Sequence, residues 1–122
     1  MDHASFQDWL NRYIDAWRSA DPGAIGALFS ENATYSYGPY RDPLVGREAI
    51  VRDWTANPDE PGSWEAEYRP LAVDGDTAVS IGESRYANGK KYSNIFVCRF
   101  DGDGRCTEFG EWFMEPPKSA AG

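Results

Sequence analysis

Halfway along this chain the apolar residues change their spacing from helical to alternating, and this restricts the fold more than any other feature. In the first half Phe6, Trp9, Leu10, Tyr13, Ile14 and Trp17 recur at helical intervals, with Ser5 placed as an N-cap and Asp8 three residues later. The spacing predicts a helix that stops near Ala20. Asp21-Pro22 then supplies a cap and a first-turn proline for a second, shorter helix carrying Ile25, Leu28 and Phe29, so the two form a tight hairpin. Residues 32–37 are rich in β-formers and end at Gly38-Pro39, and Tyr40 to Val45 read as a loop. Gly46 opens a third helix with Ile50, Val51 and Trp54 on its apolar face, and Asn57-Pro58-Asp59-Glu60-Pro61-Gly62 ends it.

Beyond that point Trp64, Ala66 and Tyr68 alternate with Glu65, Glu67 and Arg69, the pattern of a strand with one wet face. Three turn signals follow at strand-length intervals: Asp74-Gly75-Asp76, Asn88-Gly89 and Asp101-Gly102-Asp103-Gly104. They divide the rest into strands at 77–87, 90–100 and 105–115, an antiparallel meander, with 116–122 a short tail. Helices followed by a long antiparallel sheet make an α+β domain spanning 1–122, and strands of this length must twist and curl. A strongly curved antiparallel sheet closed by the three helices leaves a cone whose mouth is lined by side chains, a natural small-molecule pocket.

Composition narrows the chemistry. The 122 residues carry 20 Asp and Glu against 12 Lys and Arg, a formal charge of −8 that repels phosphate backbones and anionic lipid, so neither nucleic acid nor membrane is an expected partner. No apolar run is long enough to span a bilayer and the first residues do not read as a targeting segment, which makes a cytoplasmic location the expectation. The only histidine, His3, lies near a terminus, which leaves little for a histidine relay or a histidine zinc site. Cys98 and Cys106, separated by seven residues across a turn, fit neither a metal pair nor a redox motif and read as free thiols. Asp101-Gly102-Asp103 is a hairpin turn and not a calcium loop, since Arg105 and Trp112 stand where ligands belong. No metal or cofactor is expected, so catalysis would run on carboxylates, tyrosines, lysines or backbone groups.

Asp21-Pro22, Ala24-Ile25, Leu28-Phe29, Ala33-Thr34-Tyr35, Gly46-Arg47-Glu48-Ala49-Ile50 and the Asp103-Gly104-Arg105 strand opening resemble the nuclear transport factor 2-like superfamily, particularly its SnoaL-like polyketide cyclase branch. The resemblance runs over residues 6–115 and implies a cone-shaped barrel with a pocket, and a homodimer. Tyr13 matches the tyrosine that ketosteroid isomerases use as an oxyanion donor, but Tyr37 and Phe96 stand where their two aspartates would be. Gly82 and Ser84 occupy the positions of the Arg and Asp of the related epoxide hydrolases. The polyketide cyclases carry a pocket-facing acid on the last strand, and the resemblance places Glu111 there, without the accompanying histidine.

Strand parity supports the same residue: if Phe109 and Phe113 face inward, so does Glu111. A carboxyl among aromatic side chains has its pKa raised by desolvation, which suits proton transfer near neutrality. Asn94, in phase with Phe96, is positioned to orient a ligand carbonyl or hydroxyl. Candidate catalytic residues are therefore Glu111, Tyr13, Tyr37 and Asn94, and candidate ligand-binding residues are Trp17, Tyr35, Tyr40, Trp54, Tyr68, Phe96, Phe109 and Phe113. The same parity puts Val79, Ile81, Ile95, Val97, Trp112 and Met114 on the opposite face, a surface apolar enough to bury in a homodimer. Inverted parity would make that set the core and expose Glu111. Two readings of function stand side by side: a cofactor-free isomerase or cyclase acting on a small, largely apolar cyclic or carbonyl compound, and a non-catalytic ligand-binding or dimeric interaction module.

Overall fold

Helix α1 (His3–Ser19) starts from Asp2 in the computed structural model, which describes residues 1–60 and 62–117. Ser5 is therefore not the N-cap expected from the sequence. Asp2 Oδ1 accepts from the Ser5 amide at 2.8 Å while Ser5 Oγ accepts from the Asp2 amide at 2.9 Å, and this reciprocal pair begins the helix three residues earlier. The helix ends at Ala20, whose φ of 53° is left-handed, a conformation glycine adopts at lower cost. Asp21 caps α2 (Pro22–Gly26) through its Oδ2, 3.0 Å from the Ala24 amide, with Pro22 in the first turn. This helix is shorter than predicted: Leu28 lies beyond it and Phe29 opens β1 (Phe29–Ser36), three residues before the predicted strand start. The Leu28 carbonyl shows why, since it accepts from both Trp9 Nε1 and the Cys106 amide and so ties this segment to α1 and the last strand.

The loop after β1 contains a two-residue strand, β2 (Leu44–Val45), that pairs back onto β1 ahead of α3 (Arg47–Ala56). Then come β3 (Trp64–Asp74), β4 (Thr77–Tyr86), β5 (Lys91–Phe100) and β6 (Cys106–Met114), the meander the turn signals predict. The six strands form one sheet in the order β2-β1-β6-β5-β4-β3. It is curled but not closed by hydrogen bonds, and it is antiparallel except where β1 lies parallel to β6. Pro70 sits in the edge strand β3, where a missing amide costs no ladder bond, beside an irregularity in its pairing with β4. The expected tail is described only through Pro117, and residues 118–122 lie outside the described residues, as does Pro61.

Phe6, Trp9, Leu10, Tyr13 and Ala16 form the buried stripe of α1, packed with the concave face of the sheet. That face presents Ala78, Ser80 and Ser84 of β4, Asn94, Phe96, Cys98 and Phe100 of β5, and Phe109 of β6, all buried. Cys98 and Cys106 are free and buried. Glu111 is paired with Phe96 across the β5–β6 ladder and shares its face, so parity is as first read and not inverted. Trp112 points the other way, 41% exposed, with its indole leaning over Gly110.

Candidate functional site

Where α1 and α3 cover the concave face, their side chains leave a cavity of about 510 Å³, within the ~300–1,000 Å³ common for small-molecule sites. Every tyrosine of the chain except Tyr40 lines it, together with Trp17, Trp54 and Phe113. The polar groups among these rings are Glu111 of β6, Asn94 of β5, Ser84 of β4 and Asp53 of α3, and Asn57, Asp59, Asn88 and Lys90 come from the connecting segments.

Glu111 is half-buried and, among the described residues, has no hydrogen bond or ion pair. Desolvation pushes its pKa up to about 7, so the carboxyl is close to half ionised at neutral pH. The surrounding tyrosines feel the same environment. Burial raises the Tyr13, Tyr35, Tyr37 and Tyr68 hydroxyls well above the usual phenol range and Tyr86 to about 12, and the Glu111 charge adds to each. All five are therefore neutral hydrogen-bonding groups in the physiological range.

Phe109 positions two of them. Its ring stacks on Tyr13, at 5.4 Å and 14°, and on Tyr35, at 4.4 Å and 16°. The two tyrosines thus flank one phenyl ring, and their hydroxyl oxygens meet at 2.9 Å. One hydroxyl donates to the other, and the acceptor of the pair keeps its own proton for a ligand. Tyr37 is committed differently, since its hydroxyl donates to Asp53 Oδ2 at 2.6 Å. Ser84 Oγ donates to Asn94 Oδ1 at 3.2 Å, and among the described residues the Asn94 amide nitrogen has no acceptor. At the mouth, Trp17 stacks on Trp64 at 3.6 Å and 12° and donates from Nε1 to Asp59 Oδ2 at 2.9 Å, holding the segment after α3 beside the opening.

All four candidate catalytic residues, Glu111, Tyr13, Tyr37 and Asn94, line this one cavity, as do Trp17, Tyr35, Trp54, Tyr68 and Phe113. Three of the expected ligand-binding residues do not. Tyr40 is 99% exposed, carried outward by the Gly38-Pro39 turn that ends β1. Phe96 and Phe109 are buried beneath the lining: Phe96 packs 4.6 Å from Tyr68, and Phe109 forms the wedge just described. Sequence reasoning missed Asp53, Ser84, Tyr86 and Tyr92, the Asn57-Pro58-Asp59 segment after α3, and Asn88 and Lys90 of the β4–β5 turn. Tyr86 and Tyr92 are in phase with Ser84 and Asn94, so strand parity could have found them. Asp53 and Asp59 had no comparable signal, being an exposed helix residue and a loop residue.

Gly82 explains how Tyr68 enters this space. A Cβ on Gly82 would overlap the Glu67 carbonyl oxygen and the Tyr68 ring, so only glycine lets β3 lay Tyr68 across β4.

No curated protein matches the sequence. Among solved structures, an NTF-2 like protein of unknown function from Burkholderia xenovorans LB400 superposes with a TM-score of 0.75 at 18% identity, covering 95% of this chain and 88% of that one. A candidate ketosteroid isomerase from Kribbella flavida DSM 17836 gives 0.74 at 19% identity, covering 99% and 86%. An LEH-like epoxide hydrolase from M. tuberculosis gives 0.69 at 14% identity, covering 92% and 84%. At these identities the likeness is one of fold. The SnoaL-like domain family matches the sequence itself over residues 10–109, most of the chain, and this protein belongs to that family.

Proposed function

We propose that the protein binds a small cyclic or carbonyl compound in this cavity and acts on it as a cofactor-free isomerase or cyclase, with Glu111 as the acid–base residue. The observation that carries this reading is an unpartnered carboxyl, raised to about 7, in a cavity that also presents neutral hydroxyl and amide donors. The ionised carboxylate takes a proton from the carbon next to a carbonyl. The enolate oxygen so formed accepts hydrogen bonds from the free proton of the Tyr13–Tyr35 pair and from the Asn94 amide. Protonated Glu111 then returns its proton to another carbon, completing an isomerisation, or the carbanion attacks a second carbonyl in the same molecule, closing a ring as the Glu111 proton passes to the alkoxide so formed. Tyr37 supports this only indirectly, because its hydroxyl proton is held by Asp53.

The test is exchange of ketone α-protons in D2O, followed by proton NMR over a panel of cyclic ketones and lactones. Wild type should accelerate exchange for at least one member, and Glu111→Gln should lose about 10²-fold or more of that rate. Equal rates in the two proteins would remove Glu111 from the chemistry.

A dimeric interaction module is the second reading, and the outer sheet face is the observation that supports it. Trp112 and Met114 are exposed beside the half-buried Val79, Ile81, Ile95 and Val97. We infer a homodimer through this face. Light scattering after size exclusion should give twice the chain mass for wild type and the chain mass for Trp112→Arg, and a monomeric wild type would refute the interface.

A further inference from the structure

The cavity carries an unbalanced charge. Among the described residues Glu111, Asp53 and Asp59 border it, against one cation, Lys90 of the β4–β5 turn. None of these three carboxylates is in an ion pair among the described residues, where the pairs gather around Arg85, Lys91 and Arg99. Asp53 and Asp59 each accept one hydrogen bond at Oδ2, from Tyr37 and Trp17, which leaves Oδ1 open. Their placement does not suit a metal ion, since no three His, Cys, Asp or Glu side chains among the described residues are grouped to hold one.

Aromatic rings line the same cavity, among them six tyrosines with Trp17 and Trp54. Tyrosine and tryptophan rings present negative π-faces, and a cation held over them gains about 0.5–2 kcal/mol depending on desolvation. A neutral apolar ligand would leave the Glu111 charge desolvated and unpaired, and an anionic one would add repulsion to that cost. The cavity also presents a donor: Asn94 is only 6% exposed and lines the cavity, and among the described residues its amide nitrogen donates to no acceptor.

We propose that the ligand of this cavity is an organic cation, whose ammonium nitrogen lies among the aromatic faces and carboxylates while an acceptor atom elsewhere in the molecule meets the Asn94 amide. This rests on the reading that the cavity is the ligand site, and it does not require Glu111 to perform chemistry. The other ionisable groups that raise or feel the Glu111 charge are Tyr13 of α1, Tyr35 and Tyr37 on and after β1, Tyr68 of β3 and Tyr86 of β4, all neutral between pH 5.5 and 8.5. Among the described residues, Asp53, Asp59 and Lys90 complete the charged groups facing the cavity.

The experiment compares three probes of one shape: (4-hydroxybenzyl)trimethylammonium, its neutral carbon isostere 4-neopentylphenol, and anionic 4-hydroxyphenylacetate. Calorimetric titration of wild type should rank them in that order, the cation about tenfold or more tighter than the isostere. Its charge is permanent, so its affinity should rise several-fold from pH 5.5 to 8.5 as Glu111 ionises, and should stay level over that range in Glu111→Gln. Equal or tighter binding of 4-neopentylphenol, or no binding of any probe, overturns the proposal. Proton exchange separates this from the function proposed above: cation selectivity with no exchange on any ketone would leave this inference standing and that reading refuted, and the converse pattern would do the reverse.

Discussion

Replacing Glu111 with glutamine should make the protein more stable, and more so as pH rises. Burial lifts the carboxyl from its ordinary 4.5 to about 7, while in the unfolded chain it titrates near the ordinary value. Below pH 4.5 the acid is neutral in both states. Between about 4.5 and 7 the unfolded chain releases the proton first, so folding becomes progressively less favourable. Above 7 both states are ionised and the folded protein carries the full cost. At about 1.4 kcal/mol per pH unit that interval corresponds to about 3 kcal/mol. Solvent reaching the half-buried group through the mouth reduces the expectation to about 2 kcal/mol. Glutamine has the shape of the neutral acid and never ionises. The stability difference between variant and wild type, from urea denaturation followed by tryptophan fluorescence, should grow by about 2 kcal/mol between pH 4.5 and 8. The remaining carboxylates are common to both proteins and cancel. A difference that does not change with pH would show that Glu111 is solvated like a surface residue and would refute the desolvation argument.

Three further substitutions test how the cavity is built. Ala20→Gly relieves the left-handed strain at the end of α1 and should raise stability by about 0.5–1 kcal/mol, read from the denaturation midpoint, and a loss would refute the cap geometry. Gly82→Ala forces a methyl group against the Glu67 carbonyl and the Tyr68 ring, so a loss of about 1–3 kcal/mol and an altered near-ultraviolet tyrosine signal are expected. Phe109→Ala removes the ring between Tyr13 and Tyr35 and should cost about 3–5 kcal/mol in thermal unfolding, with a cost below 1 kcal/mol excluding a positioning role for the wedge.

Features of the site that depend on strand alternation were legible from the residues. Glu111 falls between Phe109 and Phe113, and Asn94 lies in phase with Phe96, so one correct assignment of inward face placed both. Aromatic residues were harder to place, because an inward ring can line a cavity or lie beneath its lining. Phe96 and Phe109 took the second position, at the depth where α1 presses Tyr13 and Trp9 against the sheet. Tyr40 misled for another reason: proximity in sequence to Tyr35 and Tyr37 does not survive a turn at Gly38-Pro39. The carboxylates Asp53 and Asp59 looked like ordinary surface charges and acquire their role only from Tyr37 and Trp17, which come from distant parts of the chain.

By itself the sequence determined the order and type of the longer elements, the turns between the long strands, the cap of the second helix and the inward face of the sheet. All of these follow from interactions among residues a few positions apart, where spacing and side-chain chemistry act directly. Only the tertiary structure decided that β1 pairs parallel with β6, with Tyr35 beside Phe109, and that α1 brings Tyr13 to the same ring. The meeting of those hydroxyls, and the unpaired charge of Glu111 beside them, depend on a register set between segments far apart in the chain, where packing of the whole core and not any local preference selects the arrangement.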